Sequence, residues 1–263
     1  MSPAGIIRNT ALLSYFFIAF PLISKAQTTY TQLWNEVDIV RAFNDKWSAE
    51  LNLAGTFSST PSEPRALKTN IQRNITGWAH YQISPRWKLS SFLAYYYNKD
   101  IPEIGQYEAP EWRFAVQGKY YFNKIGFTLN TDMRFEFRLL ANEEGVFEDI
   151  YRYRQKLKFL KPLNSQMLRQ GVVFVFASEE IIFRSKAKED GMAYFDRNLF
   201  TIGAGYLFTD DIQLELSYVN EFVPRDDGNI INNAVSITLI FNNLLMKLGN
   251  LIAGEPETPA RDE

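Results

Sequence analysis

Residues 125–139 read I-G-F-T-L-N-T-D-M-R-F-E-F-R-L. Ile125, Phe127, Leu129, Met133, Phe135, Phe137 and Leu139 occupy the odd positions, broken only by Thr131. Gly126, Thr128, Asn130, Asp132, Arg134, Glu136 and Arg138 occupy the even ones. Period two of this kind is a β-strand with one apolar and one polar face. At about 3.3 Å per residue the stretch reaches roughly 50 Å, long for a soluble globular strand. A strand that crosses a bilayer at a tilt and projects beyond it needs such length.

Working outward, the same period gives eleven candidate strands, near 31–43, 47–57, 68–83, 87–97, 110–122, 125–139, 150–161, 167–182, 195–208, 212–223 and 230–241. Connectors after the odd-numbered strands are short, such as Asn44-Asp45-Lys46, Ser84-Pro85-Arg86 and Thr209-Asp210-Asp211. Those after the even-numbered strands are longer and polar: 58–67, 98–109, 140–149, 183–194 and 224–229. Alternating short and long connections are the pattern of an antiparallel up-and-down transmembrane β-barrel, here of about 10–12 strands. An odd count conflicts with the even number usual in bacterial single-chain barrels. It leaves 27–43 open to a second reading, as a segment entering the lumen.

Composition fits that architecture. The chain has 263 residues, a net charge of −2, no cysteine and 15% aromatic residues. No basic field argues for nucleic acid. Mean hydropathy is −0.23, too polar for a helical bundle but ordinary for a barrel, where alternate residues face water. Rings gather toward strand ends: Trp87, Tyr95-Tyr96-Tyr97, Trp112, Tyr120-Tyr121-Phe122, Tyr151, Tyr153, Tyr206 and Phe208. Aromatic girdles at headgroup depth have this distribution.

The N-terminus reads as a secretory signal over 1–26. Arg8 precedes an apolar run from Ala11 to Ile23, and Ser24-Lys25-Ala26 is a small-x-small cleavage site. Thirteen apolar residues span roughly 20 Å as a helix, too short for a membrane anchor. The barrel domain is then 27–241. Residues 242–263 read as a short amphipathic segment followed by a Pro- and acid-rich disordered tail. Outer membrane is the expected location. Its lipid and the barrel-assembly machinery are the expected partners, and oligomeric state is left open.

Charges concentrate on three adjacent strands. Glu111, Arg113 and Lys119 share one face of the fifth strand. Arg134, Glu136 and Arg138 share one face of the sixth, and Arg152, Arg154, Lys156 and Lys158 one face of the seventh. On lipid each cation would cost about 2–4 kcal/mol at mid-depth, so these faces must point into the lumen. On the eighth strand either Glu179 or Glu180 joins them; Glu179 is placed in the cluster, with Arg197 from the ninth. Interleaved acids and bases favour a salt-bridged interior. The excess of bases keeps an anion-attracting pore as the alternative.

Motifs for chemistry are sparse. His80 is the single histidine, on the inward face of the third strand, and no recognisable motif places a serine with it. There is no Gly-rich phosphate loop and no metal-ligand spacing, so neither cofactor nor metal is expected. A non-enzymatic barrel is the leading expectation. A lipid-modifying enzyme and a soluble lipocalin-like binder are the alternatives.

Laid out this way, the chain resembles an uncharacterised family of Gram-negative outer-membrane barrels known as domain of unknown function 2490. The resemblance rests on Leu33-Trp34, Glu111-Trp112-Arg113, the strand from Arg134 to Arg138, Arg152-Tyr153-Arg154, and Asp196-Arg197-Asn198 leading to Gly203-Ala204-Gly205-Tyr206. It covers most of 30–241. It implies a fold and a location, and brings no activity with it.

Overall fold

The computed structural model describes residues 27–122, 126–142, 144–185, 194–225 and 228–243. The expected signal segment and all but the first two residues of the 242–263 tail lie outside them.

Eleven strands form one closed barrel: β1 Gln27–Ala42, β2 Trp47–Ser58, β3 Thr69–Ser84, β4 Trp87–Asn98, β5 Ala109–Tyr121, β6 Thr128–Ala141, β7 Phe147–Pro162, β8 Val173–Arg184, β9 Phe195–Leu207, β10 Ile212–Val223 and β11 Asn229–Asn242. Each strand pairs antiparallel with its sequence neighbours. The barrel closes through β1 and β11, which run parallel from Gln27↔Asn229 to Val40↔Asn242. This resolves the odd count. In a meander of eleven strands the first and last point the same way, so they can meet only in parallel. Residues 27–42 are therefore a wall strand rather than a lumenal segment, and the barrel is not antiparallel throughout.

The register advances steadily round the wall. One full circuit displaces a strand by about 14 residues, which tilts the strands about 40° from the axis and gives a backbone radius of about 11 Å. Closure with one parallel pair also puts the two ends of the domain at opposite rims. Gln27 starts at the rim of the long loops, and Asn242 ends at the rim of the short turns.

Strand boundaries fall within a few residues of the sequence expectation except at β8. It starts at Val173 instead of 167, because 163–172 is a folded turn. The Asn164 side chain accepts from Val173 N–H and donates to Gly171 C=O, and Gly171 takes φ +78°. Such a φ is open to glycine at little steric cost. This connection is consequently longer than the short turn expected after an odd strand.

Outward-facing residues form two aromatic rings with an aliphatic zone between them. Near the short turns, Trp47 packs on Tyr81, Trp87 on Tyr120, Phe127 on Phe159 and Tyr206 on Phe208. Near the long loops, Tyr95 packs on Trp112, Phe137 on Tyr151 and Phe183 on Phe195. On β4 the rings are eight to ten residues apart, about 20–25 Å along the axis at this tilt. Exposed Leu51, Leu53, Leu89, Leu93, Val116, Ile202, Leu216 and Ile237 fill the zone between.

Two inward glycines on β9 make room for rings on β8. A Cβ at Gly203 would stand 2.6 Å from the tip of Phe176, and one at Gly205 would overlap the ring of Phe174. The ring tips of both phenylalanines thus reach bare backbone, and Phe174 is fully buried.

Candidate functional site

The lumen is where this chain's chemistry collects. Directly opposed residues of an antiparallel pair share a face, so the register decides what points inward. Arg113↔Arg138, Lys119↔Asp132, Glu136↔Arg152 and Lys156↔Glu180 all do. Apart from Lys119 and Asp132, they belong to two ion-pair groups in the upper half of the barrel, nearer the long loops: Glu111 with Arg113 and Arg138, and a larger network around Glu136 and Asp196.

Three acids are the nodes of these groups. Glu111, 0% exposed, accepts from Arg113 Nε at 2.6 Å and Arg113 Nη2 at 2.9 Å. It also accepts from Arg138 through Nε and, at 3.0 Å, Nη2. Glu136 lies between Arg154 at 3.0 Å, Arg134 at 3.3 Å and Arg152 at 3.7 Å. Asp196, also 0% exposed, faces Arg152 and Arg197 at 3.2 Å and Arg184 at 3.5 Å. Glu180 takes Arg154 at 2.7 Å and Lys156 at 4.0 Å, and Glu221 takes Arg197 at 2.8 Å. Aromatic faces cover guanidiniums: Arg113 lies 3.5 Å from the Tyr96 ring centre and Arg134 5.1 Å from that of Trp78. A guanidinium stacked on a ring gains cation–π attraction without a second carboxylate.

Nine of the eleven residues expected in the cluster are therefore brought together in the upper lumen, namely Glu111, Arg113, Arg134, Glu136, Arg138, Arg152, Arg154, Lys156 and Arg197, while Lys119 also faces inward but pairs lower down with Asp132. Glu179 is a correction. It pairs with Leu157 and Phe200 on the outer face, where the Asn198 amide donates to it. Its neighbour Glu180 faces inward. The run Ser178-Glu179-Glu180 has no polarity contrast, so only its partner strand fixes which carboxylate turns in.

Sequence reasoning missed Arg184, Asp196 and Glu221. Glu221 had a signal, since Gln213, Glu215, Ser217, Val219 and Glu221 alternate along β10. Asp196 had none. A register irregularity facing Ile182 and Phe183 lets consecutive Asp196 and Arg197 both reach the network.

Lower in the lumen the pattern changes. Lys119 pairs with Asp132 at 3.2 Å, and Lys158 reaches Glu215 on β10 at 3.7 Å. Glu36 and Asp38 on β1 share the Asn52 amide, which donates to both.

His80 faces inward as expected, and it has company that the sequence did not reveal. Its Nδ1 lies 2.8 Å from Ser90 Oγ and its Nε2 3.3 Å from Glu50 Oε2. These residue types make catalytic triads. Here Ser90 is 2% exposed. β4 is paired on both sides, which commits its backbone N–H groups to the ladders and leaves them unable to form an oxyanion hole. The arrangement satisfies a buried imidazole. Among the described residues no group of His, Asp and Glu is disposed to hold a metal.

At the long-loop rim, 59–68 meets 99–108 around a cleft of about 320 Å³ lined by Thr60, Glu63, Lys68 and Pro102. Glu103 accepts from Ser62 Oγ, a bond that holds its carboxyl below the ordinary range. Bonds from Arg65 and Lys68 do the same to Glu63.

No curated protein matches the chain. A family model described as a protein of unknown function (DUF2490) matches residues 31–232. That span begins within β1, ends within β11 and contains every residue of the ion-pair network, so the chain belongs to the DUF2490 family.

Proposed function

We propose that this protein is an outer-membrane β-barrel without catalytic activity, its upper lumen braced by arginine–carboxylate pairs. The observation that carries this reading is the polarity of the wall. The outer face is aliphatic between two aromatic rings, and the charges are inside. Bacterial barrels place an apolar band about 25 Å tall between aromatic girdles. Among the described residues, Glu179 is the single Asp, Glu, Lys or Arg on the outer face between the rings. A soluble lipid-binding barrel has the opposite polarity, apolar within and charged without. Short turns at one rim and structured loops at the other suit an orientation with the loops outside the cell.

Membrane fractionation with gel mobility before and after boiling tests this. Recovery with outer membranes and a faster-migrating unboiled form are expected. Full solubility with no mobility shift refutes the reading. A His80→Ala variant that loses lipid hydrolysis would overturn its non-catalytic half.

A second reading, a narrow solute pathway, has one observation in its favour. Although they point inward, the side chains of Lys156 and Lys158 keep 34% and 25% of their surface accessible. A fully packed interior would bury them.

A further inference from the structure

One part of the outer wall departs from the aliphatic band. At mid-height, β2, β4, β5, β10 and β11 present Leu53, Leu93, Val116, Leu216 and Ile237. From β6 to β9 the outward face instead carries Thr131, Gln155, Glu179 and Asn198, one on each strand. The Gln155 amide donates to Thr131 Oγ1, and its oxygen accepts from the Tyr153 hydroxyl at 2.7 Å. Asn198 donates to Glu179 Oε1. Two groups keep unused capacity among the described residues: Glu179 Oε2 accepts from no donor, and the Gln155 amide has a second hydrogen to give. Lipid tails can satisfy neither, and an unsatisfied polar group in hydrocarbon is costly.

Register makes this patch complementary to itself. Gln155 stands opposite Ile181, and Leu157 opposite Glu179. With strands tilted about 40°, Gln155 and Glu179 come within about 2 Å of the same height, about 8 Å apart around the wall. Ile181 lies above the midpoint between them and Leu157 below it. A twofold axis along the membrane normal through that midpoint turns Gln155 toward the partner's Glu179, and Glu179 toward the partner's Gln155. Ile181 and Leu157, which lie close to the axis, each meet their own counterpart. A donor with a free hydrogen thus faces an acceptor with a free oxygen, twice.

We propose that the outer wall at β7 and β8 is the contact of a twofold dimer, with a second copy of this chain as its occupant. Each Gln155 amide donates to Oε2 of the partner's Glu179. Side-chain hydrogen bonds of this kind hold protein surfaces together in a membrane, where burial of apolar area gives no driving force. The inference rests on the membrane-spanning reading and names a partner for its one charged outward residue. At high lipid excess the barrels stand apart, so the pair sets association and not the stability of a single barrel.

Disulfide capture with copper phenanthroline in lipid vesicles tests it, in single-cysteine variants of a chain that has no cysteine of its own. Ile181→Cys should give covalent dimers. Leu53→Cys, across the barrel on β2, should give none beyond random collision. In the Ile181→Cys background, Gln155→Leu and Glu179→Leu should each weaken association at least about tenfold, as expected when two hydrogen bonds in lipid are lost. Mixing those two variants, tagged to differ in size, restores one Gln155–Glu179 pair per heterodimer. Heterodimers should then outnumber the two homodimers together by at least about threefold, the share of one bond. Faster mobility of the unboiled form certifies folding of each variant. Equal capture at Ile181→Cys and Leu53→Cys overturns the proposal, as does a heterodimer share no greater than the statistical half. Inserted barrels that give no dimer at either position also overturn it, and leave Glu179 to lipid or to a different protein. A chain that stays soluble with no mobility shift overturns the membrane reading and the dimer together.

Discussion

Replacing Glu111 by Gln removes one charge and almost no volume, yet it should be among the most damaging single changes to the lumen. Glu111 is fully buried and accepts four hydrogen bonds from two guanidiniums. Glutamine keeps one acceptor oxygen and turns an NH2 toward donors. Two of the four bonds are lost, and Arg113 and Arg138 are left facing each other without the anion between them. Breaking a buried pair from one side costs about 3–5 kcal/mol. Arg113 and Arg138 retain 11% and 10% of their side-chain surface, and Tyr96 still covers Arg113. Those contacts place the cost near the lower bound, about 3 kcal/mol. Urea titration of the barrel refolded into lipid vesicles, read by mobility of unboiled samples, measures it. Adding Arg138→Met to Glu111→Gln removes the stranded cation and should restore at least half of the loss. Glu36→Gln, whose carboxylate touches no cation, should cost less than about 1 kcal/mol by the same assay. If Glu111→Gln also costs less than about 1 kcal/mol, the arginines do not depend on this acid and the bracing argument fails.

Gly205→Ala pushes a methyl into the Phe174 ring and should destabilise the barrel by about 1–3 kcal/mol; restored stability in Gly205→Ala/Phe174→Leu would trace the loss to that overlap. Glu179→Gln takes a charge off the outer face and should leave stability unchanged or raise it by up to about 1 kcal/mol, whereas a clear loss in the vesicle assay would mean that the carboxylate has a partner in the membrane. Closure through a parallel pair predicts that Thr28→Cys, at the long-loop rim, and Asp45→Cys, in the β1–β2 turn, react with an impermeant thiol reagent from opposite sides of intact cells. Labelling of both from one side would contradict the eleven-strand wall or its insertion across the membrane.

Much of this architecture is written locally. Along β6 every second side chain except Thr131 is apolar, and that alternation survives any change in the strand's partners, so existence, direction of each face and approximate length could be read from residues 125–139 and their counterparts. The lumenal placement of Arg134, Glu136, Arg138, Arg152 and Arg154 follows from the same period together with the cost of charge on lipid. Where polarity does not alternate, the sequence is silent. Glu179 and Glu180 are chemically identical neighbours, and only pairing with Leu157 and Lys156 of β7 turns one out and the other in. His80, Ser90 and Glu50 come from three strands, and their meeting depends on register across two ladders. Asp196 enters the network through an irregularity at the start of β9. Closure is the most global of these decisions. Eleven strands can be counted along the chain, and an odd count makes any meeting of the first and last parallel, but whether they meet depends on the twist and stagger summed over the whole wall. Where polarity alternates, local period determined which side chains face the lumen; tertiary register decided the remaining faces and which side chains touch.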